Sequence, residues 1–113
     1  MDDAIYKLLE TISNVYSGWY RKDISETHVT FLKYHYSPDT FLDDEATEEY
    51  MAFQFDFWGT NKDEVEKTEK KVRKILKANN FEWLEGNVDF ETDTEIYHYS
   101  DRFSTNIEVG DEV

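Results

Sequence analysis

Tyr50-Met51-Ala52-Phe53-Gln54-Phe55-Asp56-Phe57-Trp58 alternates along its length: Met51, Phe53, Phe55 and Phe57 fall on one parity, Ala52, Gln54 and Asp56 on the other. Period-2 alternation of this kind predicts a half-buried strand. Four large apolar groups on one face also demand a cover. The cover follows after Gly59, where Val65, Thr68, Val72, Ile75, Leu76 and Asn79 recur at the spacing of one helix face between Lys62 and Asn79. Asn61 is placed to cap that helix, with Glu64 three residues on. Acids fill its first turns (Asp63, Glu64, Glu66) and bases its last (Lys70, Lys71, Arg73, Lys74, Lys77), the order that suits the helix dipole.

Working outward, residues 2–19 present Ile5, Leu8, Leu9, Ile12, Val15, Tyr16 and Trp19 as a continuous stripe, which predicts a first helix ending near Gly18. His28 to Tyr36 is rich in β-branched and aromatic types and predicts a strand. Ser37 to Glu48 holds the single proline, Pro38, and the acids Asp39, Asp43, Asp44, Glu45 and Glu48, so it is expected to be an exposed, mobile loop. Phe41 and Leu42 within it either fold back or contact a partner. Past the second helix, Asn79-Asn80 is a stop, Phe81 and Trp83 return to the core, and Gly86-Asn87 signals a turn. Strands are predicted at 88–92 and 95–109, joined at Asp93-Thr94, with a tail from about 108 to 113 left unstructured. The expected fold is therefore α+β: an antiparallel or mixed sheet of about four strands, two helices on one face, order α-β-β-α-β-β.

A chain of 113 residues is expected to form one domain, and an aromatic content of 17% argues that it folds. It has no cysteine, which excludes a disulfide framework, a thiolate metal site and a thiol nucleophile. The acidic start, Met1-Asp2-Asp3, is not expected to be a secretory signal, and no run is apolar enough to span a bilayer.

Charge is the unusual feature, with 12 basic against 26 acidic residues and a net of −14. Residues 62–79 hold seven bases and four acids, a net of +3, so the remainder, with five bases and 22 acids, carries −17. Most of this surface repels a phosphate backbone. The options are plain solubility, a basic partner, or a surface past which DNA slides without sticking. The acids and bases of the helix also pair at i, i+4 (Asp63–Lys67, Glu66–Lys70, Glu69–Arg73), the default for a surface helix.

Catalytic and metal constellations are not found. Asp89, Glu91, Asp93 and Glu95 sit two apart like the start of a calcium loop, but Thr94 stands where glycine is needed and Ser100 where glutamate is needed. His28 and His35 differ in parity on one strand, and His98 beside Arg102 reads as structural or surface. There is no G-x-S-x-G turn and no phosphate-cradling loop among four glycines. The expectation is a protein with no cofactor and no catalysis.

Gln54-Phe55-Asp56-Phe57-Trp58 resembles the Q-x-D-x-W strand of small tail-completion (tail terminator-like) proteins of prophages and long-tailed phages of Gram-positive bacteria. The lysine-rich helix follows it as it does in that family. Phe81, Val88-Asp89-Phe90-Glu91, Tyr97-His98 and Arg102-Phe103 resemble its closing pattern F…G-x-D-x-Y-E-x-D-T…Y-H-K-x-x-R-F, and Tyr34-His35-Tyr36 with the acidic stretch also fits. The similarity covers about residues 28–104. Tyr99 replaces the usual lysine, and Phe90 stands where tyrosine is common.

The resemblance implies a structural protein that forms a ring, usually of six copies, at the head-proximal end of the tail tube. Its partners would be further copies of itself, the tail tube protein and the head–tail connector or stopper protein, with DNA only passing through a channel and no membrane. It would reside in the host cytoplasm during assembly and then in the virion. Residues expected at subunit or partner contacts are Asp43, Asp44, Glu45 and Glu48 of the acidic stretch, Gln54, Asp56 and Trp58 of the central strand, Lys70, Lys71 and Lys74 of the helix, and His98 and Arg102 of the last strand. The competing reading is an acidic mimic of nucleic acid that occupies the basic groove of a host DNA-binding protein.

Overall fold

A computed structural model describes residues 2–21, 23, 25–42 and 45–108. The elements are α1 (Asp2–Leu8), β1 (Val15–Ser17), β2 (His28–Leu42), β3 (Glu45–Gly59), α2 (Lys62–Ala78), β4 (Glu82–Glu91) and β5 (Ile96–Glu108). They form one five-stranded sheet in the order β1-β2-β3-β5-β4. All pairings are antiparallel except β1 with β2, which is parallel, so the sheet is mixed and has one strand more than expected.

The extra strand comes out of the predicted first helix, which stops at Leu8. Its apolar stripe is real, with Ile5 and Leu9 buried, but Thr11, Ser13 and Asn14 are weak helix formers whose side chains compete for the backbone. Asn14 takes a left-handed φ of 59°, and its carbonyl accepts from Val29 N at 2.8 Å. Val15, Tyr16 and Ser17 then lie beside Val29, Thr30 and Phe31, and Gly18 N donates to the Phe31 carbonyl at 2.8 Å. A ladder on the edge of β2 outcompetes a longer helix here. The short helix is tied to this strand, since Ser17 N donates to Tyr6 Oη at 2.8 Å and Ser17 Oγ to Asp2 at 2.7 Å.

The acidic stretch read as a loop is a paired arm. Ser37 faces Tyr50, Pro38 faces Glu49, Asp39 faces Glu48 and Leu42 faces Glu45, so β2 and β3 continue almost to the tip. Asp43 and Asp44 lie outside the described residues. Proline is tolerated because β1 covers only Val29 to Phe31, leaving the far side of β2 at Pro38 unpaired among the described residues. Polar side chains reinforce the arm: Thr47 Oγ1 donates to the Thr40 carbonyl at 2.8 Å, and Thr40 Oγ1 to Glu48 at 3.0 Å. Asn106 on β5 donates to Asp39 at 3.1 Å. The arm makes the molecule long, 54 × 23 × 23 Å.

Strand β4 likewise runs through the predicted Gly86-Asn87 turn, with a register shift between Trp83 and Glu85. Glycine is needed there for close approach: a Cβ on Gly86 would lie 2.7 Å from Asp101 Oδ1. Trp83 does not return to the core. It is 40% exposed on the edge strand, while Phe81 beside it is buried. The predicted tail falls partly within β5, which reaches Glu108; residues 109–113 lie outside the described residues.

Both helices cover one face of the sheet. Ile5 and Leu9 near α1, and Val65, Val72 and Leu76 of α2, pack with Val29, Phe31, Met51, Phe53, Phe55, Phe57 and Phe103. The Phe55 and Phe103 rings meet edge to face at 5.7 Å between centroids. Helix α2 begins as its sequence predicts, with Asn61 Oδ1 accepting from Glu64 N at 3.1 Å. It ends in a Schellman turn: Asn80 takes φ 69°, and Phe81 N donates back to the Leu76 carbonyl at 3.0 Å. Phe81 and Leu76 then share the core, the contact that usually seals such a turn.

Candidate interaction surfaces

The second face of the sheet was expected to offer Gln54, Asp56, Trp58, His98 and Arg102 to a neighbour. The register sets Trp58 opposite His98 and Gln54 opposite Arg102, so these residues do gather on one patch. Two of them are not available, however. Asp56 is wholly buried and Trp58 is 4% exposed. The His98 ring lies flat on the Trp58 indole, centroids 3.7 Å apart and 9° from parallel, and its Nε2 is 2.6 Å from Asp56 Oδ1. Gln54 Nε2 donates to both Asp56 oxygens, at 3.1 and 3.2 Å, and Trp58 Nε1 donates to Thr30 Oγ1 at 2.9 Å.

The cover is aromatic and comes from the segment after β1. Trp19 meets the Trp58 and His98 rings edge-on, and Tyr20 leans over Trp58 at 4.7 Å. Alternation alone places Asp56 and Trp58 on the solvent side, because the lid is remote in sequence. What remains accessible is Gln54 in part, Arg102 with its guanidinium over the Tyr34 ring at 4.9 Å, and Trp19, 53% exposed.

His28 closes the end of this patch. Its Nδ1 is 3.0 Å from the Glu26 carbonyl, which makes Nδ1 the protonated donor, and its ring stacks on Tyr20. Burial pushes the imidazole below its ordinary value, outweighing the Glu26 hydrogen bond.

The charged surfaces are better placed for contact. Lys70, Lys71 and Lys74 are exposed on α2, and with Asp63, Glu66 and Lys67 they line an open groove of 380 Å³. Lys70 lies 3.5 Å from Glu66. Glu66 is claimed more firmly from the sheet, where Tyr99 Oη donates to it at 2.7 Å. That bond holds Glu66 below the usual carboxylate range and pushes the Tyr99 phenol up to about 12. Tyr99, which stands where the resembled family has lysine, thus ties β5 to α2. On the arm, Glu45 is exposed and Glu48 is half-buried by its bonds to Thr40 and Asn106. Residues 39–49 contain six acids and no base.

Two features escaped the sequence. Edge strand β4 is exposed along its whole length, with Trp83, Leu84, Val88 and Phe90 showing 40–63% of their surface. It carries Glu82, Glu85, Asp89 and Glu91 and no base. Beneath it, Glu69 and Asp101 are both buried. Glu69 read as half of a surface pair with Arg73, and that pair exists at 3.1 Å, but the carboxyl points inward. Only the docking of α2 on β5 brings it to Asp101.

No protein-family model matches the chain, and no curated protein matches its sequence. In structure it is similar to a chain in the virion of a native gene transfer agent particle, with a TM-score of 0.66 and 11% identity over 92% of this chain and 84% of that one. At this identity the likeness is one of fold: an α+β chain with a mixed five-stranded sheet and two helices on one side.

Proposed function

We propose that this protein is a non-catalytic structural component of a phage-like virion, and specifically a tail-completion protein that assembles as a ring at the head-proximal end of the tail tube. The observation that carries this reading is the separation of charge onto two built surfaces. A strand-paired acidic arm projects from one part of the molecule, and the exposed lysines of α2 stand on another. Two unlike, complementary patches suit head-to-tail contacts, which close into rings where the rotation between copies permits. The fold shared with a chain of a gene transfer agent virion adds support, as do the strand and helix motifs of the resembled tail-completion family. In the ring, the arm of one copy meets α2 of the next. The remaining acidic surface lines a channel along which DNA moves without adhering.

Electron microscopy of the purified protein mixed with tail tubes is the direct test. Rings, or capped tube ends, are the expected outcome. Reversing Lys70, Lys71 and Lys74 to glutamate should leave the fold intact and weaken assembly most at low salt, where such contacts are least screened. A monomer that ignores tube ends and instead captures a DNA-binding enzyme would favour nucleic-acid mimicry and overturn the ring.

A further inference from the structure

Asp101 is 3% exposed and Glu69 5%, and the two acidic side chains line one cavity between α2 and the β4–β5 edge. Two carboxylates cannot hydrogen-bond each other, and among the described residues each leaves an oxygen without a partner: Asp101 Oδ2 and Glu69 Oε2. Their other oxygens are served. Trp83 Nε1 donates to Asp101 Oδ1 at 3.1 Å, and Arg73 Nη2 to Glu69 Oε1 at 3.1 Å. Arg73 Nε also lies 3.1 Å from Glu69 Oε2 but outside hydrogen-bonding geometry. Its guanidinium sits 4.4 Å over the Trp83 ring, so helix, edge strand and neighbouring strand converge on this one cluster.

We propose that Asp101 and Glu69 hold a single proton between them and so form a pH-sensitive latch that fastens helix α2 to the β4–β5 edge of the sheet. The proton on Asp101 Oδ2 is donated to Glu69 Oε2. One proton thereby satisfies both orphaned oxygens and leaves a single negative charge, which Arg73 balances. The surroundings agree. From α2 the facing charged groups are Glu69 and Arg73, with Glu66 a turn earlier already held by Tyr99 of β5. From β4 come the Trp83 indole, Gly86, Asn87 and Val88, none of them charged. One guanidinium cannot neutralise two buried anions. Burial first, then the hydrogen bond and repulsion from Glu69, raise the Asp101 carboxyl to about 8, against smaller opposing pulls from Trp83 and Arg73.

Loss of the proton to solvent leaves two anions face to face. Asp101 keeps the indole and Glu69 keeps the guanidinium, so their separation opens the Arg73–Trp83 contact and loosens α2 from the β4–β5 edge. Since the folded chain holds this proton more tightly than the unfolded one, the latch is complete at acid pH. It is lost as pH rises toward the folded pKa.

The test combines carbon-detected NMR titration of the side-chain carboxyls with unfolding at several pH values. The Asp101 carboxyl should titrate above neutrality. Asp101→Asn keeps an acceptor for Trp83 and gives Glu69 a permanent donor. Relative to that variant, the wild-type folding constant should fall by up to about tenfold per pH unit between about pH 5 and about pH 8. Protection of α2 amides, taken relative to the intrinsic exchange rate at each pH, should fall over the same range in the wild type alone. Glu69→Gln should also abolish the dependence, which keeps the test available if Asp101→Asn folds poorly. An Asp101 carboxyl titrating in the ordinary acid range, or an Asp101→Asn protein with the wild-type pH slope, would overturn the latch.

Discussion

On one face of β2, β3 and β5, Phe31, Phe53, Phe55 and Phe103 are wholly buried under two helices. On the other face of the same strands, Thr30, Asp56 and Trp58 are buried and His98 half-buried under Trp19 and Tyr20. The first face is held by area and close packing, which is non-directional and tolerates alternative apolar side chains of similar volume. The second is held by directed bonds, Trp58 to Thr30 and Gln54 to Asp56, with His98 on both Asp56 and Trp58. A face built this way is specific but fragile, because removing one partner leaves another polar group buried and unmatched. It also limits which residues can meet a neighbour: Gln54, Arg102 and Trp19 remain accessible in whole or part, whereas Asp56 and Trp58 do not.

The contrast can be broken most directly from the apolar side. Phe55→Ala should cost about 3–5 kcal/mol in urea unfolding, the usual range for an emptied aromatic site. Phe55→Leu should recover much of that. On the polar side, Asp56→Ala removes a smaller volume but strands His98 Nε2 and the Gln54 amide. A loss of about 1–3 kcal/mol is expected, and Asp56→Leu should not rescue it. Rescue by leucine would mean that this face, too, is held by area. Asn61→Ala, at the cap of the helix covering the first face, should cost about 1 kcal/mol, with no effect on the second face as read by His98 chemical shifts.

The smallest effect expected is one of pH. His28 is held below its ordinary value by burial, so the unfolded chain takes up that proton first as the medium becomes acidic. Its contribution is present above the ordinary histidine range and is lost as pH falls through it. His28→Phe should flatten that part of the stability profile. The trend is opposite in sign to that of the Glu69–Asp101 pair, so the two can be separated.

The charged surfaces show the same contrast between local and remote determination. Lys70, Lys71 and Lys74 were legible as an exposed row because helical periodicity sets them away from Val65, Val72 and Leu76. Glu45 and Glu48 were legible as acidic, but not as members of a paired arm: their composition says loop, whereas the register with β2 and the side chains of Thr40, Thr47 and Asn106 make strand. Composition also misled at the first helix, where an apolar stripe suits an edge strand on β2 as well as a helix.

The sequence by itself determined α2 with both of its caps, the apolar parity of β3 and the imbalance of charge. Each of these depends on neighbours within a few residues, where covalent geometry dictates who faces whom. Only the tertiary structure decided that Asp56 is buried beneath His98, 42 residues away, and that Glu69 turns inward to Asp101. It also decided that the edge strand β4 remains open. Those outcomes depend on sheet register and on which helix lands where, and the cost of burying a polar group is settled only by the partner that arrives to meet it.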